Sequence, residues 1–140
     1  MQIKKVQAVW FSATGTTEKV VTTIAKEMAQ ALNAEYKTYT CNLPKDREDE
    51  LSFTADDLVV LGTPVYAGRV PNLLLPYLTG KVQGNGALAV PVVLFGNRNY
   101  DDALMELRNI LRDNSFAVVA AAAFVGEHSF SRTLGAGRPD

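Results

Sequence analysis

Four short runs, nearly continuous in apolar residues, recur along this chain at Val6–Phe11, 58–62 ("LVVLG"), 90–96 ("VPVVLFG") and 116–126 ("FAVVAAAAFVG"). Short continuous runs of this kind suit strands buried on both faces, because a strand with one wet face would alternate instead. Between them the period changes. Val20, Ile24, Met28 and Leu32 recur every four residues with Val21 and Ala25 beside them, which predicts a helix from about Thr16 to Asn33. "EYKTYT" at 35–40 alternates and is rich in Tyr and Thr, the pattern of an edge strand. Leu104, Leu107 and Leu111 give one face of a further helix, with Asp101 placed to cap it. Strands alternating with helices require a parallel sheet joined by crossovers.

Five strands in this order fit a doubly wound α/β fold with sheet order 2-1-3-4-5. The segment 42–57 is charged and irregular, a surface connection with room for one short helix. The segment after residue 70 contains Pro71 and Pro76. Pro71 suits a first helical turn, whereas Pro76 removes a helical hydrogen bond, so that helix is expected to be short or bent. Pro91 is tolerable only near the start of its strand.

Composition removes several classes of function. One domain is expected from 140 residues. A net charge of −1 provides no basic field for nucleic acid. The single cysteine, Cys41, rules out a disulfide framework or a cysteine-ligated cluster within one chain. No apolar stretch approaches the roughly 18 residues of a membrane span, and the first residues lack a signal-peptide pattern. A soluble cytoplasmic protein is the expectation, with neither nucleic acid nor membrane as partner.

In a doubly wound sheet, ligands bind beyond the C-terminal strand ends, near the switch point. The loops at 12–17, 63–70 and 96–101 therefore matter. The first, within "FSATGTTEKV", leads into a helix N-terminus, where amides lack helical partners and the macrodipole is positive. Ser12, Thr14, Thr16 and Thr17 add hydroxyls, and Gly15 permits close approach. This is an anion cradle suited to a phosphate. It has no Lys or Arg, which favours a monophosphate. The plain alternative is helix capping by Ser and Thr. Neither G-x-x-x-x-G-K-[ST] nor G-x-G-x-x-G occurs.

These residues carry a resemblance. Ser12-Ala13-Thr14-Gly15-Thr16-Thr17 resembles the FMN phosphate loop of flavodoxins, T/S-x-T-G-x-T. "GTPVYAGRVP" resembles their second loop and "FGNRNYDDAL" their third. With "GEHSFS" after the fifth strand, the set is most similar to the flavodoxin-like domain of flavodoxin–ferredoxin fusion proteins. Their ferredoxin cysteines are absent from this chain. The resemblance implies that Ser12, Thr14, Gly15, Thr16 and Thr17 hold the FMN phosphate. It implies that Thr63, Pro64, Val65, Tyr66, Ala67 and Gly68 wrap one side of the isoalloxazine, and Gly96, Asn97, Arg98, Asn99, Tyr100 and Asp101 the other. Tyr100 is the first choice for ring stacking and Tyr66 the second. Gly68 could permit a peptide rotation toward the flavin. Arg69 falls at the flavin rim or is a solvated surface residue. His128 has no visible carboxylate partner, Trp10 suits core packing, and Cys41 has no expected redox role.

The function implied is electron transfer through an exposed FMN, without catalytic acid–base residues. The near-neutral charge makes long-range steering weak and favours a partner held nearby, such as a fused or dedicated iron–sulfur module. Two alternatives stand beside it: an FMN-dependent reductase of quinones or similar small acceptors, and a flavin-free binding module on the same fold. Right-handed crossovers put the first helix on one sheet face and the later ones on the other. Strands 3 to 5 then need a helix after the fifth strand. The residues after "GEHSF" are too few for one. The expectation is a chain whose closing C-terminal helix is missing, and which hides the face by self-association.

Overall fold

The computed structural model describes residues 2–12, 15–65, 69–95 and 101–125. The strands are β1 (Lys5–Trp10), β2 (Glu35–Thr40), β3 (Leu51–Ser52), β4 (Asp57–Pro64), β5 (Val82–Gln83), β6 (Leu88–Phe95), β7 (Ala117–Val118) and β8 (Ala122–Val125). The α-helices are α1 (Thr16–Leu32), α2 (Leu75–Gly80) and α3 (Asp101–Asp113). The main sheet runs β2-β1-β4-β6, with β7 and β8 both on the outer edge of β6, and every pairing is parallel. This is the expected flavodoxin-like order 2-1-3-4-5. β4 and β6 stand third and fourth, and β7 with β8 form the fifth position.

Alternation along the buried strands sorts side chains between two cores. Val6, Ala8 and Trp10 of β1 join Leu58, Val60, Val90, Val92, Leu94 and Phe124 on the face covered by α1. Val20, Val21, Ala25 and Ala29 supply the helix side of that contact. Burying each such valine contributes about 1.5–3 kcal/mol. α1 ends at Asn33, whose φ of 54° is left-handed. The amides of Asn33 and Ala34 donate to Gln30 and Ala29 carbonyls, closing the last turn. On the opposite face Val9, Val59, Leu61, Val93 and Phe95 meet Tyr77 and Leu78 of α2 and Ala103, Leu107 and Leu111 of α3.

Three details depart from the sequence reading. The fifth strand is interrupted at 119–121. Pairing steps from Ala89↔Val118 to Val92↔Ala122, so three residues stand opposite two. The cause lies across the gap. Ala87 and Ala89 carbonyls accept from Ala117 and Val119, so the backbone of every second residue of β6 faces the fifth strand. Pro91 has that parity and has no N–H to offer. Pro91 is also not at the start of β6 but its fourth residue; the interruption is what accommodates it there.

Second, the connection 42–57 contains a 3-10 turn at Pro44–Arg47 and also the small strand β3, which pairs with β5. Leu51 and Phe53 amides donate to Lys81 and Gln83 carbonyls. Third, Pro71 stands just outside a 3-10 turn at Asn72–Leu74. Pro76 falls in the first turn of α2, where its missing N–H costs nothing. The helix is short, as expected. On the α1 face of the sheet, Val90, Val92, Leu94 and Phe124 are buried. Residues 126–140, where a closing helix was sought, lie outside the described residues.

Candidate functional site

Parallel pairing sends three strand ends to one edge. Trp10 stands opposite Gly62, Gly62 opposite Val92, and Pro64 opposite Leu94. Phe11 N–H donates to the Gly62 carbonyl (3.1 Å) and Val65 N–H to the Leu94 carbonyl (2.9 Å), which carries the ladder into the loops. With strands about 4.8 Å apart, the stems after β1, β4 and β6 fall within about 10 Å of one another.

Of the first loop, Ser12, Gly15, Thr16 and Thr17 are described, and Ala13 and Thr14 are not. Ser12 is buried, and its hydroxyl accepts the Gly15 N–H at 2.9 Å. Gly15 is the N-cap of α1, with φ 91° and nothing within 4 Å of where a Cβ would stand. It has no side chain to cap the helix, and the first helical bond runs from Lys19 N–H to the Gly15 carbonyl at 3.1 Å. The amides of Thr16, Thr17 and Glu18 precede that bond, at the positive end of a 17-residue helix. Glu18 is the one acidic residue of the first turn and is exposed. Thr17 is buried, its methyl 3.2 Å from the position of a Gly62 Cβ. Open space, turned amides and a half-buried Thr16 fit a tetrahedral anion.

What fixes this loop was not legible in the sequence. Ser12 N–H donates to Asn42 Oδ1 at 2.7 Å, and Asn42 N–H donates to Thr40 Oγ1 at 3.2 Å. The residues after β2 thus brace the loop after β1. Arg47 donates to the Cys41 carbonyl and lies 5.7 Å from the Phe11 ring centre. Cys41 itself is buried, and burial pushes its thiol up to about 12, against the neighbouring Tyr77 hydroxyl and Arg47 charge. Trp10 sits in the α1 core as expected; its Nε1 is buried without a partner among the described residues.

In the second loop Thr63 is fully buried and its hydroxyl donates to the Pro64 carbonyl at 3.1 Å. Pro64 and Val65 are half-buried at the edge. Tyr66, Ala67 and Gly68 lie outside the described residues, as do Gly96, Asn97, Arg98, Asn99 and Tyr100 of the third loop, and His128. Asp101 opens α3, and only its backbone is described. Arg69 is exposed and ion-paired with Glu106 of α3. Glu106 Oε1 also accepts the Val70 N–H at 3.1 Å. This clamp ties the end of the second loop to the helix that follows the third. The two residues are too distant in sequence for any local pattern to pair them.

Among the described residues no cluster of His, Cys, Asp and Glu could hold a metal, and no helix is long and apolar enough to cross a membrane. No protein-family model matches the chain. No curated protein matches it by sequence. Solved structures do match. A flavodoxin of Streptococcus pneumoniae TIGR4 aligns with TM-score 0.62 at 15% identity, over 95% of this chain and 99% of that one. A variant flavodoxin of Fusobacterium nucleatum, bound to flavin mononucleotide, aligns with TM-score 0.55 at 19% identity, over 84% of this chain and 69% of that one. At such identities the likeness establishes the flavodoxin-like fold.

Proposed function

We propose that this chain binds one FMN noncovalently at the C-terminal strand edge and passes electrons through it to a redox partner. The observation that carries the reading is the N-terminus of α1. It opens at Gly15, beside Ser12 and Thr16, on the edge where the other two loop stems converge. The FMN phosphate would take the first-turn amides, with Ser12 and Asn42 holding the loop in shape. The stems at Val65 and Phe95 would set the width of the isoalloxazine slot. Bound there, the flavin supplies the electron chemistry, while the chain sets its orientation and solvent access. The FMN carried by the flavodoxin of Fusobacterium nucleatum supports the choice of cofactor.

The cradle makes the test. FMN and riboflavin share the ring system and differ in the phosphate, so FMN should quench on binding far more tightly than riboflavin. Equal affinities would show that the α1 N-terminus is not the phosphate site. For the partner, the net charge of −1 gives little long-range steering. The reading is a partner held close, an iron–sulfur module in particular. Electron transfer to a small iron–sulfur protein should then vary little with salt; a steep loss with added salt would point to a steered, freely diffusing partner instead. Steady turnover of reduced nicotinamide with a quinone would mark the chain as a reductase.

A further inference from the structure

The geometry points to a second, anion-binding site on the outer edge of the sheet, formed by Arg108 and Arg112 of α3 and the interrupted strand 119–121. A concave pocket of about 390 Å³ lies there, lined by both arginines, Phe116 and residues 117–121. Its volume falls in the range of small-molecule sites.

The two arginines are four residues apart on one helix face, where like charges repel. Neither is in an ion pair among the described residues. Arg112 donates to Asn109 Oδ1 at 3.0 Å within its own helix. The Nε of Arg108 is buried and has no acceptor among the described residues. Both arginines line the pocket, and guanidinium forks match the paired oxygens of phosphate or carboxylate. The opposite wall is supplied by the break itself. With Pro91 unable to donate, the strand leaves the ladder after the Val119 N–H bond to Ala89, and Ala120 and Ala121 amides make no hydrogen bond to other described residues. Their methyl groups leave room a larger side chain would fill. The ligand class is therefore a small molecule bearing a phosphate or carboxylate, with a short apolar body against Ala120, Ala121 and Phe116.

This site does not depend on the flavin reading. It is built from the last turns of α3 and the middle of the fifth strand, whereas the FMN cradle lies beyond the C-terminal strand ends. The test uses the full chain and reads only groups of this site, which lie apart from the α1 N-terminus. Inorganic phosphate and succinate are titrated separately at constant ionic strength, following the Arg108 Nε–H and the Ala120 and Ala121 amides by NMR. Saturable shifts at these groups are expected with at least one probe. Stronger shifts with phosphate identify a phosphate ligand, and stronger shifts with succinate a carboxylate. Arg108→Gln and Arg112→Gln should each weaken the response about tenfold or more. Arg112 is exposed, so its variant remains informative if the Arg108 variant fails to fold. No saturable shift up to about 10 mM of either probe, or equal binding by a folded Arg112 variant, overturns the proposal.

Discussion

Two residues set limits that neighbouring substitutions cannot relax. A Cβ at Gly62 would stand 2.2 Å from Val21 Cγ2, so α1 rests directly on the β4 backbone there. Gly62→Ala must push the N-terminal half of α1 outward. It should destabilise the fold by about 1–3 kcal/mol and weaken FMN binding together with it, read by denaturant melts and flavin titration. Unchanged stability would mean that α1 shifts freely. Cys41 sets a limit of another kind. Its thiol is raised from 9.0 to about 12 by burial, so the folded chain keeps a proton that the unfolded chain loses. Stability on this account is complete below about pH 9 and falls as pH rises toward 12. Cys41→Ala should flatten that alkaline loss, and the native thiol should resist alkylating reagents at neutral pH. Prompt labelling of the folded protein would contradict its burial.

Among the elements, β6 and the second loop carry the consequences of single residues. If the missing N–H of Pro91 causes the break opposite it, Pro91→Val supplies the donor. The new amide should exchange slowly with solvent, and the variant should gain about 0.5–1.5 kcal/mol. A rapidly exchanging amide at 91 would assign the break to the Ala run instead. Glu106 holds Val70 N–H and Arg69 from α3. The pair is largely exposed on the Arg69 side, so Glu106→Ala should cost under about 1 kcal/mol of global stability. The local effect should be larger. The Val70 amide should lose exchange protection and FMN affinity should fall several-fold, because the second loop loses its anchor. A global loss without a local one would make Glu106 an ordinary packing residue.

Across the whole molecule, helices cover both faces of the sheet and the loops gather at one edge. Arrangement by faces follows from right-handed crossovers, and the edge follows from strands that all point one way. The sequence argument foresaw α1 alone on its face and expected strands 3 to 5 to lie bare beneath it. Val92, Leu94 and Phe124 are buried on that face, and residues 126–140, where a closing helix was sought, lie outside the described residues. Val90, Val92 and Leu94 share one core cluster with the α1 residues Val20 and Val21, and α1 lies close against the β4 backbone at Gly62.

The main strands, the span of α1 and the parallel order were legible from residue pattern. Each is written in local periodicity or in a junction between two periods, which neighbours along the chain suffice to specify. The brace from Asn42 to Ser12 and the clamp from Glu106 to Val70 were not legible, nor was the pairing of β3 with β5. Each joins residues some 30 or more positions apart, and a single hydrogen bond or ion pair leaves no period behind it. The same holds for Pro91. Its identity is plain in the sequence, but only the parity of β6 against its neighbour decides which strand loses a donor.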